Sequence, residues 1–195
     1  ENIFIYPSTG NHPLIDNLTR KLDIAKENLL IANGSDAIFS LLIQAYALPY
    51  QKQILTHQFA FMGYEIQALG YGIETLKASV HPESWQVNID ELILLAKKNV
   101  ALLFLANPNN PTGQMIQWDE IYKILHHIPQ ETIFVLDEAY FEYVDDAHPK
   151  LMQLIQKYPN LLITRTFSKG YGLAALRVGY AIGHESIINT LKRIQ

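Results

Sequence analysis

Short apolar runs alternate with longer amphipathic stretches along most of this sequence, and that alternation constrains the fold more than any other feature. It is typical of α/β proteins, in which helices connect the strands of a mostly parallel sheet. Several runs are apolar nearly throughout, as expected for strands that helices cover on both faces. The sequence therefore predicts a three-layer α/β sandwich on a mostly parallel sheet of about seven strands.

The individual elements follow from the same periodicity. Strands are predicted at residues 29–32, 53–56, 73–76, 101–106, 132–136, 161–164 and 179–182. Helices are predicted at residues 14–22, 36–46, 61–69, 89–97, 118–128 and 150–157, with the start of another at 185–195. We expect one domain over residues 1–195, with residues 1–12 as an N-terminal arm. The chain starts without Met and stops inside a helix, which indicates a fragment of a longer protein.

Composition excludes several classes of protein. Lys and Arg number 15 against 19 Asp and Glu, a net charge of −4, which argues against nucleic acid or an anionic membrane as partner. The absence of cysteine excludes disulfides, thiol chemistry and cysteine-based metal sites. The histidines lack ligand spacing, so no metal site is expected. We see neither a transmembrane run nor a signal peptide, and we expect a cytoplasmic protein.

Ligands of open α/β sheets bind beyond the carboxyl ends of the strands, so the residues after each strand are the informative ones. Four segments follow predicted strands and contain polar or glycine residues, namely residues 33–36, 107–113, 137–140 and 166–177. One fold could bring all four to a single rim of the sheet. That rim is the predicted binding site.

Lys169 lies in a short, glycine-flanked loop after a predicted buried strand. A free ammonium gains nothing in such a place, whereas an amine that forms a Schiff base with a ligand would have a reason to be there. The alternative is an ordinary surface lysine that happens to follow a strand.

Asp137 follows the apolar run at residues 132–136. A carboxylate at the end of a buried strand is costly unless it is paired, and a protonated pyridine nitrogen would be a suitable partner. Tyr140, three residues later, could direct its hydroxyl toward the same ring. The alternative is that Asp137 and Glu138 form an acidic pair in a solvated loop or at a helix start.

Asn110 lies in a turn that two prolines, Pro108 and Pro111, make rigid. Its amide could donate a hydrogen bond to a phenolate-type oxygen, although the segment could also be a tight turn and nothing more.

Gly34, Ser35 and Asp36 lead from a strand into a helix. Free N–H groups and the positive end of the helix dipole suit a phosphate there, and an N-cap role for Ser35 or Asp36 is equally natural. Arg177 could complete such a site with a two-pronged contact.

One motif in the sequence is misleading. Residues 170–175 fit the G-x-G-x-x-A form of the dinucleotide fingerprint. That fingerprint needs a long helix and then a second strand that ends in an acidic residue about 20 positions later. Here a strand is predicted within residues 176–182, and no such unit follows. A nicotinamide or flavin site is therefore not expected.

The order and spacing of three motifs carry more information than any motif alone. NPNNPTG at 107–113, DEAYFEY at 137–143 and TRTFSKGYGLAALRVGY at 164–180 resemble the fold-type I pyridoxal-phosphate aminotransferases. The resemblance extends from Tyr6 to Tyr180, and within that family it is strongest for the histidinol-phosphate aminotransferases. It implies that the chain is the large, cofactor-binding domain of such an enzyme.

The resemblance assigns roles residue by residue. Lys169 matches the Schiff-base lysine that also shuttles a proton, and Asp137 matches the partner of the pyridine nitrogen. Tyr140 and Asn110 match the hydrogen-bond donors to the ring oxygen. The catalytic residues implied are thus Lys169, Asp137 and Tyr140. The residues that match the phosphate-binding positions are Gly34, Ser35, Asp36, Thr166, Ser168 and Arg177.

Two further positions complete the implied site. Phe61 falls where the family stacks an aromatic ring on the cofactor, and Tyr6 matches a tyrosine that reaches the cofactor phosphate of a neighbouring subunit. The second match implies a homodimer with shared active sites. The family's chains are longer, and their C-terminal small domain carries the arginine that holds the substrate's acidic group. We therefore expect a nearly complete cofactor site and an incomplete substrate site.

The resemblance implies pyridoxal 5′-phosphate as cofactor and amino transfer between L-histidinol phosphate and 2-oxoglutarate, in histidine biosynthesis. Three alternatives remain open at this point. The enzyme could be a phosphothreonine decarboxylase or an aromatic amino-acid transaminase of the same subgroup. It could also be a non-catalytic domain that binds the cofactor or only dimerises.

Overall fold

Seven strands form one sheet in the computed structural model, which describes residues 13–144 and 149–195. In chain order the strands are β1 (Leu29–Ala32), β2 (Gln53–His57), β3 (Thr75–Ala78), β4 (Val100–Ala106), β5 (Ile133–Asp137), β6 (Leu161–Thr166) and β7 (Gly179–Gly183). Across the sheet their order is β1-β7-β6-β5-β4-β2-β3. β7 pairs antiparallel with β1 and β6, whereas the other paired strands run parallel. The prediction of a mostly parallel sheet is confirmed.

Helices cover both faces of this sheet. They are α1 (Pro13–Leu22), α2 (Ser35–Leu42), α3 (Gly63–Gly70), α4 (Ile89–Ala96), α5 (Trp118–His127), α6 (Leu151–Lys157) and α7 (Glu185–Ile194). Buried residues of α2, α3 and α7 pack in one apolar cluster, and those of α1, α4, α5 and α6 pack in another. The sheet lies between two helical layers, as predicted. Within the described ranges, no helix is both long enough and apolar enough to cross a lipid bilayer.

The interior strand β4, which lies between β5 and β2, shows why the sequence folds this way. Every residue of β4 is buried. Leu103 and Leu105 belong to one apolar cluster, whereas Leu102 and Phe104 belong to the other, because successive strand residues point to opposite faces. Full burial of one such side chain stabilises a fold by about 1.5–3 kcal/mol. This strand therefore holds both helical layers to the sheet.

Several predicted boundaries shift in the structure, and local hydrogen bonds explain why. The third strand begins at Thr75 rather than at 73, because the N–H of Ile73 bonds to the carbonyl of Ala68 at 2.9 Å and closes the end of α3. The helix predicted at 36–46 begins at Ser35, and its α-helical part ends at Leu42. From there the chain continues as a π-helical turn, Ile43–Ala47.

Two further boundaries concern the predicted binding rim. Phe61, predicted as the first residue of a helix, lies before α3, which begins at Gly63. The strand predicted at 161–164 extends to Thr166, because Thr166 pairs with Gly179 of β7. Residues 174–176 form a 3₁₀ turn, so the strand expected within 176–182 begins only at Gly179.

The pairing of the strands brings the four polar segments to one rim. Ala106, Asp137 and Thr164 lie side by side near the carboxyl ends of β4, β5 and β6. Because β7 runs the opposite way, its first residue, Gly179, meets the same edge and pairs with Ala32 at the end of β1. The segments that follow β1, β4, β5 and β6 therefore converge as predicted.

Candidate active site

A cleft of about 550 Å³ opens at this rim. Gly34 lies next to the cleft residue Arg177. Tyr6, the remaining residue of the predicted site, belongs to residues 1–12 and lies outside the described residues. The cleft is lined by Ser35, Asp36, Phe61, Ala106, Asn110, Asp137, Ala139, Tyr140, Thr166, Ser168, Lys169 and Arg177. Of these, only the two alanines are absent from the sequence prediction.

Asp137 lines the cleft and is only 3% exposed. One of its carboxylate oxygens, Oδ2, accepts a hydrogen bond from the hydroxyl of Tyr64 at 2.7 Å. The other, Oδ1, accepts one from the hydroxyl of Thr164 at 3.0 Å. Burial raises the pKa of Asp137 to about 6, against the lowering effect of these two donors. Asp137 is thus a buried acid that a cationic ligand would stabilise as the anion.

Lys169 lies in the loop after β6, and its side chain is exposed at the cleft. Two backbone hydrogen bonds close this loop, from the N–H of Phe167 to the carbonyl of Val178 and from the N–H of Leu173 to the carbonyl of Phe167, both at 3.0 Å. The loop is therefore anchored to the edge of the sheet. Nζ of Lys169 lies 5.7 Å from the centre of the Tyr140 ring. The amine and the phenol assigned to one site are indeed neighbours.

Arg177 forms the opposite wall of the cleft. Its Nη1 donates to the hydroxyl of Ser168 at 3.3 Å and to the carbonyl of Ala174 at 3.1 Å. Its Nη2 lies 3.7 Å from the carboxylate of Asp36. The N–H of Ser168 in turn donates to the hydroxyl of Thr166 at 3.1 Å. A guanidinium and two hydroxyl groups are thus held together in a way that suits an anion.

Gly34 brings the start of α2 against this guanidinium. It has φ +81°, in the left-handed region that favours glycine, and it is the residue before the first turn of α2. A Cβ at this position would lie 2.6 Å from Nη2 of Arg177. The unpaired N–H groups of a helix start and the positive end of its dipole therefore face the same place as the guanidinium.

Gly179 has a positioning role that the sequence analysis does not predict. A Cβ on Gly179 would lie 2.5 Å from the backbone nitrogen of Ser35 and 2.7 Å from the carbonyl carbon of Gly34. The first residue of β7 therefore packs directly against the turn that leads into α2. A glycine at the start of a predicted strand is the only signal in the sequence, and it does not indicate what the glycine approaches.

The asparagines of the proline-rich turn divide into two kinds. Asn107 holds the turn, because its amide donates to the carbonyl of Ile116 at 3.0 Å and accepts from the N–H of Ile116 at 2.9 Å. Asn109 donates to the carbonyl of Phe59 at 3.0 Å and so ties the turn to the segment after β2. Asn110 is the asparagine that lines the cleft. The segment is both a tight turn and a wall of the cleft.

Phe61 presents its half-buried ring to the cleft. The ring meets that of Tyr64 edge to face, with centres 5.4 Å apart. Tyr64 and Thr164 are the residues behind the cleft that sequence analysis misses. The sequence predicts a helix from residue 61, in which Phe61 and Tyr64 would share one side, but the structure places Phe61 before α3. For Thr164, the signal is its position at the end of the neighbouring strand.

Residues 170–175 do not form a dinucleotide-binding unit. Part of this segment lies in the lysine loop, and the rest enters the 3₁₀ turn Ala174–Leu176. The strand that follows, β7, is antiparallel to β6. A dinucleotide fingerprint requires a strand–turn–helix unit in which the glycines open the helix.

Comparisons with known proteins agree with this geometry. Residues 1–195 match the family model for aminotransferase class I and II. Histidinol-phosphate aminotransferase 2 of Legionella pneumophila (strain Paris) is 44% identical over 194 residues, which cover 99% of this chain and 52% of that protein. Histidinol-phosphate aminotransferase 1 of Idiomarina loihiensis is 34% identical over 191 residues, covering 97% of this chain and 51% of that protein.

A solved structure extends the agreement to the fold. The crystal structure of histidinol-phosphate aminotransferase from Sinorhizobium meliloti in complex with pyridoxal-5′-phosphate superimposes with a TM-score of 0.87 at 26% identity. The match covers 98% of this chain and 52% of that one. The chain therefore spans about half the length of the relatives that it matches. It belongs to the class I and II aminotransferase family.

Proposed function

We propose that this protein is a pyridoxal-phosphate-dependent aminotransferase in which Lys169 carries the cofactor. The observation that supports the proposal is the convergence of an amine, a buried carboxylate and a guanidinium, Lys169, Asp137 and Arg177, in one cleft. Family membership and the names of the relatives agree with it. An ordinary surface lysine would not need the other two groups around the same cleft.

The polar groups of the cleft fit those of pyridoxal phosphate. Asp137 can accept a hydrogen bond from a protonated ring nitrogen, and Asn110 and Tyr140 can donate to the ring's phenolic oxygen. Phe61 offers an apolar face for the ring.

The phosphate-binding part of the proposal rests on the cradle at the start of α2. A Cβ at residue 34 would lie 2.6 Å from Nη2 of Arg177, so the glycine lets the guanidinium lie this close to the start of α2. Backbone N–H groups, hydroxyl groups and a guanidinium are the usual donors to phosphate in proteins. The residues that we assign to the phosphate are Gly34, Ser35, Asp36, Thr166, Ser168 and Arg177.

When bound, pyridoxal phosphate supplies an aldehyde that captures amines and a ring that accepts electrons from the substrate's reacting carbon. We propose that Nζ of Lys169 would hold the cofactor and that its amine would move a proton at that carbon. Asp137 keeps the ring nitrogen protonated, since a nearby anion favours the charged form of a base. Tyr140 and Asn110 orient the ring through its oxygen.

The relatives guide the choice of substrates. Proteins that are 44% and 34% identical to this chain are named histidinol-phosphate aminotransferases. We therefore propose L-histidinol phosphate as amino donor and 2-oxoglutarate as acceptor, and a place in histidine biosynthesis. Because the chain spans about half of those relatives, we further propose that groups outside residues 1–195 complete the substrate site.

We propose that the protein is a homodimer. Met62, Ile66 and Leu69 project an apolar stripe from α3 and the residue before it, and they are 69%, 60% and 74% exposed. The stripe begins next to Phe61 of the cleft, so a second copy seated on it would lie close to the site. Such a contact would remove a large apolar surface from water. Tyr6 is proposed to reach the cofactor phosphate of the partner subunit.

Reduction with borohydride tests the cofactor assignment directly. The complete gene product is incubated with pyridoxal phosphate, reduced and digested, and its peptides are mapped by mass. We expect a phosphopyridoxyl group on the peptide that contains Lys169, and none in the Lys169→Ala variant. Lys157→Ala, which removes another lysine away from the cleft, is the control and should label normally. Label that persists in Lys169→Ala, or no label in the wild type, would contradict the proposal.

A product assay tests the substrates. With L-histidinol phosphate and 2-oxoglutarate, the complete gene product should form glutamate. Glutamate formed only from an aromatic amino acid would move the assignment to an aromatic transaminase. Release of CO₂ from phosphothreonine without 2-oxoglutarate would move it to a decarboxylase. Either result would leave Lys169 as the attachment point while it replaced the substrates proposed here.

A further inference from the structure

Tyr64 lies behind the cleft rather than in its lining, and it is completely buried. Its hydroxyl reaches from the first turn of α3 to the end of β5, where it donates to Oδ2 of Asp137 at 2.7 Å. Burial, followed by the nearby charge of Asp137, raises the pKa of Tyr64 well above its ordinary value. The phenol therefore stays protonated and remains a hydrogen-bond donor to the carboxylate.

The ring of Tyr64 is held on two sides by other aromatic rings. It stacks on Phe104 of β4 with centres 4.9 Å apart and planes 15° apart. Phe39 of α2 meets it edge to face at 5.1 Å. A ring packed in this way cannot swing aside without opening a cavity in the core. The position of its hydroxyl is consequently fixed by the core and not by solvent.

The two hydroxyl groups that bind Asp137 act on different oxygens. Tyr64 donates to Oδ2 from α3, and Thr164 donates to Oδ1 from the neighbouring strand β6. Together the two hydroxyl groups fix the rotation of the carboxylate about its Cβ–Cγ bond. Each oxygen keeps further lone-pair capacity that can face the cleft. The carboxylate is thus oriented before any ligand binds.

Tyr64 also touches the other flank of the cleft. Its ring meets that of Phe61 edge to face, with centres 5.4 Å apart and an angle of 86°. One side chain therefore contacts the carboxylate assigned to the ring nitrogen and the aromatic ring assigned to the ring face. Among the described residues, Tyr64 is the one that both hydrogen-bonds to Asp137 and packs its ring against Phe61.

We propose that Tyr64 is a positioning residue for the cofactor: its hydroxyl holds the carboxylate of Asp137 in the orientation and charge state that a pyridine nitrogen requires, while its ring supports Phe61. The inference rests on the proposed function, since it assumes that pyridoxal phosphate occupies the cleft. Thr164 assists Tyr64 from the opposite oxygen. The competing explanation is that Tyr64 has only a structural role, as a core aromatic residue whose buried hydroxyl needs a hydrogen-bond acceptor.

The charge state of Asp137 distinguishes these explanations. The ionisable groups that act on its charge are Tyr64 on α3 and Asp36 at the start of α2, and Tyr140, Lys169 and Arg177 line the same cleft. Burial and then Asp36 favour the neutral acid, whereas the donors on Tyr64 and Thr164 favour the anion. Removal of one hydroxyl therefore moves the titration of Asp137 in a known direction.

The first experiment needs no cofactor. Infrared absorption of the protonated carboxyl group is titrated in the cofactor-free complete gene product, and the Asp137→Asn variant identifies the band of Asp137. The wild-type midpoint should lie near 6. Tyr64→Phe should raise it by about 1–2 pH units, the usual effect of losing a hydrogen bond to a charged group. Tyr158→Phe, which removes a buried hydroxyl that bonds to His126 at 3.1 Å, should leave it unchanged.

Thr164→Val keeps the test decisive if Tyr64→Phe does not fold. It removes the second donor to Asp137 and keeps a β-branched side chain, so it should raise the midpoint as well. A midpoint that stays at the wild-type value in every folded variant of these two would overturn the inference.

The second experiment links Tyr64 to the cofactor. Binding of pyridoxal phosphate to the complete gene product is measured by fluorescence at several pH values. Tyr64→Phe should weaken binding about two- to tenfold at pH 7 and recover at higher pH, as the carboxylate ionises again. Weakening that does not depend on pH would indicate a merely structural role and overturn the inference. A wild-type protein that fails to bind pyridoxal phosphate would overturn the proposed function itself, and the link to the pyridine nitrogen with it.

Discussion

The neighbouring carboxyl groups of Asp137 and Glu138 are equally buried, but different groups stabilise their negative charges. Each residue is 3% exposed. Oε2 of Glu138 accepts hydrogen bonds from Nε and Nη2 of Arg165, both at 2.8 Å. Asp137 accepts hydrogen bonds from the hydroxyl groups of Tyr64 and Thr164. One charge is neutralised by a cation of the same chain, whereas the other is stabilised by neutral donors.

This difference separates a structural carboxylate from one that is available to a ligand. Burial, the largest single influence, would lower the pKa of Arg165, but the charge and hydrogen bond of Glu138, together with those of Tyr180, raise it overall. The guanidinium also covers the ring of Phe141, 3.8 Å from its centre. The ion pair is therefore complete without a ligand. Asp137 faces the cleft, and its hydroxyl donors are neutral, so they do not balance its negative charge. A site for a cationic ring nitrogen requires such a charge.

The largest effect that we predict comes from breaking the ion pair. Glu138→Gln leaves Arg165 buried without its counter-charge, and it should lower the free energy of unfolding by about 3–5 kcal/mol. Urea unfolding of the cofactor-free protein measures this loss. Glu131→Gln makes the same chemical change at an exposed position and serves as the control. If both variants lost equally little free energy of unfolding, Glu138 would not be the structural one of the two carboxyl groups.

The second prediction concerns pH. Asp137 has a pKa of about 6 when folded, against an ordinary value of 3.8. The folded state then binds more protons between these values, so the contribution of Asp137 to stability is fully present below about pH 4 and is lost as pH rises through about 6. The loss amounts to about 3 kcal/mol.

Because other acids titrate in the same range, the quantity to measure is the difference between the wild type and Asp137→Asn. Free energies of unfolding are determined from about pH 4 to about pH 7 for both cofactor-free proteins. The free energy of unfolding of the wild type, relative to that of Asp137→Asn, should fall as pH rises through about 6. A difference that is flat across this range would show that the carboxyl of Asp137 titrates normally, and the contrast with Glu138 would then disappear.

A smaller effect is expected from Asp137→Asn at neutral pH, and it has the opposite sign to that of Glu138→Gln. The amide removes a buried charge but offers one of the two hydroxyl donors a poorer partner, so stability of the cofactor-free protein should rise by about 1–2 kcal/mol. The same variant should bind pyridoxal phosphate more weakly and turn over more slowly. A variant that loses stability and keeps its turnover would reverse our assignment of the two carboxyl groups.

The comparison also shows what sequence alone can predict. The strands and the rim follow from apolar patterning and from polar motifs that come directly after strands, whereas Phe61, Thr166 and Ser168 are assigned by the family resemblance. The hypothesis of Asp137 and Glu138 as an acidic pair in a solvated loop is wrong, because β5 and the N–H of Glu138, bonded to the carbonyl of Thr164 at 2.8 Å, keep both inside the fold. Glu138 directly follows the end of β5, and the two carboxyl groups bind different partners.

What sequence could not predict depends on distances between elements. Tyr64 matters because α3 brings its hydroxyl to β5, and Gly179 matters because a Cβ there would lie 2.5 Å from the backbone nitrogen of Ser35. Neither residue has a distinctive neighbour in the sequence. Arg165 is similar, since a basic residue in an apolar strand predicts a buried partner without identifying Glu138. Such pairs become visible only when strand order and register are known.

The smallest effect should come from an ion pair that has good geometry but lies in water. Nζ of Lys123 lies 2.6 Å from the carboxylate of Asp90, and the two side chains are 47% and 82% exposed. The hydrogen bond from Lys123, followed by its charge, lowers the pKa of Asp90. Solvent screens such pairs, and ordering two long side chains offsets most of the attraction. Lys123→Met should therefore leave the urea midpoint unchanged within error, at low and at high salt. A loss comparable to that of Glu138→Gln would mean that distance, and not burial, decides what an ion pair contributes in this protein.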